Sequence, residues 1–410
     1  MSSVPIDAER FRRRFDTFNE IGATDDGGVN RPTLSDENKA ARDQIVEWFE
    51  QAGLTVTIDE MGNIFGRRSG EDDEAAPVQF GSHIDSQYNG GRFDGVVGVL
   101  GALEVIESLN DAGVTTRRPL EIAVWSNEEG VRFQPDMLGS GVFCDVFDLE
   151  YAYSRTDKEG NTFEAELERI GYKGDTPCEP RELHCYFEIH VEQGPFLEEE
   201  ELPLAAVEGV FGFSWMNVTV EGQANHAGPT PMDMRRDAMM GVSDVTQAVR
   251  RMTATEGTDL VGTVGSVDLW PNAINVIPET AEFTVDVRSY DNEVVENAVQ
   301  RIQNEIEAAA EREGLDYEFE EIMRVDADPF DQDCIDTVVE AIESRGYDYT
   351  RLVSGAGHDA NYLNTICPSS MIFVPSVDGI SHRESEYTEW ADIVAGAEVL
   401  LSAVMAKAAE

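Results

Sequence analysis

The sequence predicts an α/β protein of two domains, the first of which is discontinuous. A length of 410 residues suits two domains, and 41% apolar residues can fill their cores. The middle of the chain shows a different order of elements, βαββαβ, from the parts that flank it. We therefore expect a first domain with a mixed sheet over residues 1–210 and 326–410, interrupted by a ferredoxin-like domain over residues 211–325.

The elements of the first part are expected from apolar runs bounded by turn residues. The expected helices cover residues 7–21, 36–52, 96–106 and a segment near 163–170. The expected strands cover residues 54–59, 63–68, 77–80, 120–125 and 185–189. The helix over 96–106 is apolar on all sides, so we expect it to be buried. Gly22 and Gly53 fall where the first two helices would end.

The order of elements changes after residue 210. Strands are expected over 211–222, 260–269, 279–289 and 315–324, with helices over 233–253 and 291–313. From about residue 327 the earlier alternation resumes, with helices over 332–345, 358–364 and 388–407 and strands over 350–353 and 369–374. This return predicts that the middle unit is an insertion into the first domain.

The charge of the chain is unusual, because 81 acidic residues against 30 basic ones give a net charge of −51. Four of the basic residues are lysines and 26 are arginines. Such a charge repels itself in dilute salt, whereas at molar salt the screening length falls to about 3 Å. A carboxylate-rich, lysine-poor surface around an ordinary core predicts a halophilic protein. We expect neither nucleic acid nor an anionic membrane to bind a protein with so large a negative charge.

The cysteines and the termini bear on the compartment. The five cysteines show no CxxC spacing and no even framework, so we expect them to be reduced and structural. The N-terminus carries arginines but no apolar signal-peptide core, and no run of 18 apolar residues occurs. The sequence therefore predicts a soluble, cytoplasmic protein.

Imidazoles and carboxylates recur where the predicted strands of the first domain end. The candidate ligands are His83, Asp94, Glu128, Glu129, His190 and His382. His83 and Asp85 are two residues apart, so in extended chain they point the same way. An acidic protein has many carboxylates, but only six histidines are present, and three of them stand at strand ends. Mixed imidazole and carboxylate ligands suit Zn, Mn, Co or Ni better than Mg or Ca.

These segments resemble motifs of a known enzyme family. The segments are Gly-Ser-His83-Ile-Asp-Ser, Asn-Glu128-Glu129-Gly, His190-Val-Glu-Gln193-Gly-Pro and Gly-Ile-Ser-His382. They are similar to those of the M20 metallohydrolases, within them to the hydantoinase/carbamoylase branch, and the similarity runs from about residue 15 to 405. The branch contains N-carbamoyl-L-amino acid hydrolases, β-ureidopropionases and allantoate amidohydrolases.

The resemblance implies a site with two divalent transition-metal ions, Zn, Mn or Co. His83 and His190 would hold one ion, Glu129 and His382 the other, and Asp94 would bridge both. Glu128 would be the general base, and Asp85 the carboxylate that orients His83. His190 matters for the branch, because peptidases and deacylases of the family usually carry an acidic ligand at that place.

The resemblance also implies that the inserted domain is a lid and dimerisation domain of a homodimer. The implied substrate-binding residues are Gln193, His226, Asn275, Arg288, Gly357 and His358. His226 would enter the partner subunit's active site and stabilise an oxyanion, while Arg288 would bind the substrate carboxylate. The sequence leaves two alternatives open: Arg288 could be a surface arginine paired with Asp286, and His358 could serve packing.

The expected activity is hydrolysis of the ureido C–N bond of an N-carbamoyl-L-amino acid to the amino acid, carbon dioxide and ammonia. Allantoate amidohydrolase and β-ureidopropionase are alternatives with the same motifs, and an M20 aminoacylase or peptidase is less favoured because of His190. A catalytically inactive homologue that serves binding or assembly is disfavoured, because the metal-binding and base positions are all filled.

Overall fold

The computed structural model describes residues 4–254 and 259–410. The helices are α1 Ala8–Phe18, α2 Asp36–Gln51, α3 Val96–Asp111, α4 Leu138–Phe143, α5 Leu149–Tyr153, α6 Phe163–Ile170, α7 Phe196–Glu199, α8 Ala238–Thr253, α9 Asn292–Glu313, α10 Gln332–Arg345, α11 Asp359–Leu363 and α12 Trp390–Ala408. The strands are β1 Thr55–Ile58, β2 Ile64–Arg68, β3 Val78–His83, β4 Leu120–Trp125, β5 Cys185–Val191, β6 Ala205–Val210, β7 Gly212–Glu221, β8 Val261–Trp270, β9 Thr280–Ser289, β10 Asp316–Val325, β11 Asp328–Pro329, β12 Thr350–Ser354 and β13 Ser369–Val374.

The chain divides into two compact units. Unit 1 comprises Met1–Glu208 and Phe330–Glu410, and unit 2 comprises Gly209–Pro329. Unit 1 contains the strand ends that carry the candidate ligands, and unit 2 contains His226, Asn275 and Arg288. Among the described residues, no helix is long and apolar enough to cross a membrane.

The sheet of unit 1 has the strand order β1-β2-β4-β3-β5-β13-β6, with β12 also paired to β6. The four central strands β4, β3, β5 and β13 run parallel, whereas β1, β2 and β6 pair antiparallel with their neighbours. The prediction of an α/β fold with a mixed sheet is confirmed. Because the four central strands are parallel, their carboxyl ends lie at one edge of the sheet, which is the usual ligand crevice of such folds.

Helix α3, which follows strand β3, is buried along almost its whole length. Its N-cap is Gly95, with φ +65°, and a Cβ at this position would lie 2.4 Å from the ring of His83. Only glycine fits both the left-handed backbone and this close approach. The prediction of a buried helix from Val96 is therefore confirmed, and the helix extends to Asp111, beyond the expected end.

Unit 2 contains a four-stranded antiparallel sheet of order β10-β7-β9-β8. Its elements follow one another as β7, α8, β8, β9, α9 and β10. Helices α8 and α9 contact each other and pack on this sheet, and the alternate residues of β9 that point to the helices are buried, namely Ala281, Phe283, Val285 and Val287. The residues of β9 on the opposite face, including Arg288, are partly or fully exposed.

Two local features differ from expectation, and a third agrees with it. Strand β6, Ala205–Val210, was not predicted; it is a short run that directly precedes the longer β7. Helix α1 ends at Phe18 with Asn19 as its C-cap, so Gly22 belongs to the following turn rather than to the cap. Gly53, in contrast, adopts φ +79° directly after the C-cap of α2, as a helix-ending glycine does.

Candidate metal centre

Five side chains at one edge of the unit 1 sheet form two overlapping groups that could each hold a metal ion. Within each group the possible ligand atoms all lie within 4.8 Å of one another. The first group is His83, Asp94 and His190, and the second is Asp94, Glu129 and His382. These are the two ligand sets implied by the sequence resemblance, and Asp94 is common to both.

The two oxygens of Asp94 face different histidines. Oδ1 lies 3.0 Å from Nε2 of His190 and 3.5 Å from Nε2 of His83. Oδ2 lies 3.3 Å from Nε2 of His382, which is itself 3.6 Å from Oε2 of Glu129. A carboxylate with one oxygen toward each ligand group has the arrangement of a bridging ligand.

The histidine tautomers fit metal binding. Nδ1 of His83 lies 3.1 Å from the carbonyl oxygen of Asp85, and Nδ1 of His190 lies 2.9 Å from that of Val191. Since a carbonyl oxygen only accepts hydrogen bonds, each Nδ1 carries the proton and each Nε2 can present a lone pair. Nε2 of His83 is buried without a hydrogen-bond partner. A buried, unpartnered nitrogen that faces carboxylates is satisfied by a divalent cation, so the residues fit such an ion.

The electrostatics of the cluster are strongly perturbed. Burial alone would lower the pKa of His83, but nearby carboxylates, first that of Glu128, raise it well above its usual value. The hydrogen bond to Asp94 raises the pKa of His382 to about 9. Burial raises the pKa of Glu129 to about 7. Burial opposes the ionisation of Asp94, but His190 and the other histidines hold its pKa well below the usual range. Concentrated opposite charges of this kind are typical of functional sites.

Glu128 lies beside the first ligand group, with Oε2 at 3.5 Å from Nε2 of His83. Its side chain is nearly buried, and burial raises its pKa well above the usual value, with Asp359 and other carboxylates adding to the shift. A carboxylate with a raised pKa next to candidate metal ligands suits general-base chemistry.

The contacts of Asp85 differ from the expectation that its carboxylate orients His83. The carbonyl oxygen of Asp85 makes the near contact with Nδ1 of His83, whereas its carboxylate is 3.8 Å from that atom. The carboxylate instead accepts hydrogen bonds from the backbone N–H groups of Glu128 (3.4 Å) and Glu129 (3.3 Å) and from Thr33 (2.6 Å). Asp85 therefore links the segment that follows β3 to the segment that follows β4.

Gln193 and His358 lie near the ligand groups in different ways. The side-chain amide of Gln193 donates to Oδ2 of Asp94 at 3.0 Å, so this residue is at the edge of the cluster. His358 is buried, its ring centroid is 4.5 Å from that of His190, and its Nε2 is 2.9 Å from Oγ of Ser354. These contacts fit the packing alternative for His358. Gly357, which precedes it, is exposed.

Residues 79–406 match the profile of peptidase family M20/M25/M40. The chain belongs to this family.

Several proteins of known structure or name resemble the chain over nearly its full length. An N-carbamoyl-L-amino-acid amidohydrolase of Rhizobium meliloti is 42% identical over 402 residues, which cover 98% of this chain and 96% of the relative. A hydantoinase/carbamoylase-family amidase from Burkholderia multivorans has a TM-score of 0.95 at 48% identity, covering 99% of both chains. A ureidoglycolate hydrolase of Arabidopsis thaliana is 32% identical, covering 97% of this chain and 86% of the relative. The assignment to the hydantoinase/carbamoylase branch of the M20 family is confirmed.

Three of the site residues implied by the M20 resemblance lie in unit 2. His226 and Asn275 stand on two neighbouring exposed loops, where the N–H of Ala227 donates to the carbonyl of Asn275 at 2.9 Å. Nδ1 of His226 accepts from the N–H of Gly228 at 3.0 Å, which leaves the proton on its Nε2. Arg288 donates to the carboxylate of Asp286 from Nε and Nη2, at 3.1 and 2.9 Å. The pairing with Asp286 that the sequence left open is therefore present.

Sequence reasoning missed Glu386, a buried residue of this M20 chain. One of its oxygens accepts from the backbone N–H groups of Phe93 and Asp94, both at 3.0 Å, and the other accepts from Ser381 at 2.9 Å. It thereby ties the loop of Asp94 to that of His382. The only local signal was a carboxylate four residues after a candidate ligand, which in so acidic a chain carries little weight.

An open cleft of about 460 Å³ in unit 1 adjoins Glu129. The lining residues are Gln87, Glu129, Val131, Arg132, Gln134, Thr156, Asp157 and Lys158. Arg132 is held by Asp157 and Glu166 through contacts of 2.9 and 2.6 Å. The second ligand group thus borders on a polar, solvent-accessible space.

Proposed function

We propose that this protein is a metal-dependent amidohydrolase that cleaves the ureido C–N bond of N-carbamoyl-L-amino acids. The observation that carries the proposal is the pair of ligand groups sharing Asp94 beside Glu128. The name of the 42% identical relative from Rhizobium meliloti, which matches almost the whole chain, supports this substrate class. The products would be the free amino acid, carbon dioxide and ammonia.

The chain would hold two divalent transition-metal ions, one on His83, His190 and Asp94 and one on Glu129, His382 and the same Asp94. Imidazole and carboxylate donors favour Zn, Mn or Co. When bound, such ions lower the pKa of water and polarise a carbonyl oxygen. Asp85 would keep His83 in the ligating tautomer through its carbonyl and would fix the backbone of Glu128 and Glu129 through its carboxylate.

Glu128 would be the general base. Its carboxylate would take a proton from the attacking water and deliver it to the leaving nitrogen. Burial raises its pKa, and this supports the assignment, because a carboxylate with a raised pKa accepts a proton more readily.

Unit 2 would act as the lid and would supply groups that contact the substrate. His226 would donate from Nε2 to the developing oxyanion, with Asn275 beside it. Arg288 would bind the substrate carboxylate, for which its planar fork is suited. Its present partner, the carboxylate of Asp286, is the same chemical group. In unit 1, Gln193, Gly357 and His358 would complete the pocket, His358 by supporting His190.

The chain would act as a homodimer joined through unit 2, with His226 serving the partner subunit. Strand β8 is an edge of the unit 2 sheet and leaves large apolar side chains exposed, among them Val261 (51%), Val267 (41%) and Trp270 (66%). Ile274, next to Asn275, is also fully exposed. An exposed apolar edge strand is a template for pairing with a second copy.

A second candidate is hydrolysis of a related ureido compound. The ureidoglycolate hydrolase from Arabidopsis is 32% identical, a weaker match than the carbamoyl-amino-acid amidohydrolase from Rhizobium. Allantoate and β-ureidopropionate remain alternatives for the same site. An aminoacylase or peptidase activity is less favoured, because His190 stands where those branches usually place an acidic ligand.

The test is ammonia release by the purified protein in molar KCl with Mn²⁺, Co²⁺ or Zn²⁺ added. The panel contains N-carbamoyl-L-amino acids, β-ureidopropionate, allantoate and ureidoglycolate, with an N-acetyl-amino acid as a non-ureido control. We expect the highest kcat/KM for an N-carbamoyl-L-amino acid. Turnover of allantoate or ureidoglycolate alone would favour the second candidate, and turnover of the N-acetyl compound alone would contradict a ureido substrate.

A further inference from the structure

The carboxylate of Glu129 is held from both sides by one residue, Gln87. The backbone N–H of Gln87 donates to Oε1 at 3.0 Å, and its side-chain amide donates to Oε2 at 2.6 Å. Among the described residues, no other side chain donates a hydrogen bond to this carboxylate. Gln87 lies four residues after His83, in the turn that follows β3, and is half-buried at the wall of the cleft beside Glu129.

This pair of hydrogen bonds restricts how the carboxylate can rotate. Two donors from the same residue fix both oxygens and therefore the plane of the group. The glutamate side chain itself is only 4% exposed, so water has little access to replace a lost donor. Any residue except proline at position 87 would supply the backbone N–H. The hydrogen bond from the side-chain amide, in contrast, requires glutamine.

The two ligand groups differ in their dependence on Gln87. Glu129 belongs only to the group with Asp94 and His382, whereas His83 and His190 are oriented by backbone carbonyls. The shared Asp94 accepts from other residues, namely Gln193 at 3.0 Å and Ser381 at 3.3 Å. A substitution at position 87 should therefore affect the group that contains Glu129. It should leave the hydrogen bonds that orient His83 and His190 unchanged.

We propose that Gln87 is a positioning residue that sets the affinity of the Asp94–Glu129–His382 group for its metal ion, independently of the His83–Asp94–His190 group. The proposal rests on the proposed function only in that both ligand groups bind a divalent ion. A neutral amide is suited to this task, because it donates to the carboxylate without competing with the ion by charge. Partners of this kind typically contribute about 10- to 100-fold in metal affinity.

The test is a titration of the metal-free full-length protein with Co²⁺ in molar KCl, followed by visible absorption and by calorimetry. The variant is Gln87→Met, which keeps the length of the side chain and removes the donor. We expect wild type to bind two ions in two steps, and the variant to lose about 10- to 100-fold in affinity at one step while the other changes less than about twofold.

A matched control is available on β3, the strand that precedes Gln87. Gln79 donates its amide to Oε1 of Glu121 at 2.8 Å, so it forms a buried glutamine–glutamate pair away from the ligand groups. Gln79→Met should leave both binding steps unchanged. Gln87→Ala provides a second test variant, because it also removes the side-chain donor, and it should show a loss at the same step.

Three results would overturn the proposal. They are unchanged Co²⁺ binding in both Gln87 variants, an equal loss at both steps, and a wild-type protein that binds fewer than two ions. Hydrolysis is not measured in this titration. A protein that binds two ions with the expected dependence on Gln87 but releases no ammonia from ureido compounds would refute the proposed function and leave the role of Gln87 intact.

Discussion

Nε2 of His190 lies 3.0 Å from Oδ1 of Asp94, and both side chains are almost completely buried. The second oxygen of the same carboxylate faces His382, which is half exposed. One carboxylate thus joins a buried ligand group to one that solvent can reach. The two groups are expected to respond differently to substitution and to pH.

The first prediction concerns metal content. His382→Ala removes a ligand from only one group, so the number of ions bound per chain should fall from two to one. The measurement is elemental analysis of protein purified in molar KCl. His184→Ala is the control, because His184 contacts Glu410 and belongs to neither ligand group. Full occupancy in His382→Ala would show that the ligand assignment is incorrect.

The second prediction separates the two adjacent glutamates. Glu128→Gln should keep both metal ions and lower kcat by about 10²–10⁴-fold, the usual contribution of a general base. Glu129→Gln should instead lower the metal content, since Glu129 belongs to a ligand group. Turnover and metal content are measured on the same samples. Near-normal turnover in Glu128→Gln would contradict its role as the base.

The third prediction concerns pH. The hydrogen bond to Asp94 raises the pKa of His382 to about 9, so at pH 7 this imidazole is protonated in the metal-free protein. Only neutral imidazole binds metal, so binding must release that proton. Apparent metal affinity should therefore rise with pH up to about 9 and then level off as His382 loses its proton.

Calorimetry of metal binding at pH 7, in buffers of different ionisation enthalpy, measures the released protons. His382→Ala should release fewer protons than wild type under the same conditions. Metal binding without any proton release at pH 7 would be inconsistent with the protonated state of His382.

The fourth prediction concerns salt. With a net charge of −51, raising KCl from dilute to molar should raise the melting temperature, because screening removes repulsion between surface carboxylates. Thermal melting followed by circular dichroism is sufficient, with sucrose as a control for general exclusion of cosolutes. A melting temperature that stays level or falls with KCl would count against a halophilic protein.

The fifth prediction tests whether His226 acts in the partner subunit. His226→Ala should lower kcat by about 10²–10³-fold, as loss of an oxyanion donor does, and Glu128→Gln is also expected to be nearly inactive. Mixed dimers of the two variants should regain activity, because one of their sites combines its own Glu128 with an intact His226 from the partner. Arg288→Ala serves as a comparison and should mainly raise KM.

Exchange of subunits must be shown on the same mixture, for example with differently labelled chains. If mixed dimers form and remain inactive, His226 serves its own subunit or has no part in catalysis.

Much of the fold could be predicted from the sequence because it depends on local patterns. Helix α3 is buried because its apolar residues cover all sides, and β9 alternates because every second residue packs on the helices of unit 2. The candidate ligands could be found because parallel strands bring their carboxyl ends to one edge, so that a residue's place at a strand end is enough to group it with others.

The tertiary structure alone decided which atoms of these residues meet. The carbonyl of Asp85 rather than its carboxylate makes the near contact with His83, and Gln87 holds both oxygens of Glu129. Such contacts depend on turn conformations, as at His382 with φ +57°, which no periodicity encodes.

Long-range contacts could not be predicted from the sequence for a related reason. Glu386 binds the backbone of Asp94 across 292 residues of chain, and β6 forms because β13 and β12 offer it partners. The type of a side chain and its local pattern are properties of the sequence. The partner of a hydrogen bond depends on the order of strands in the sheet and on the turns between them, and these form only when the whole domain packs.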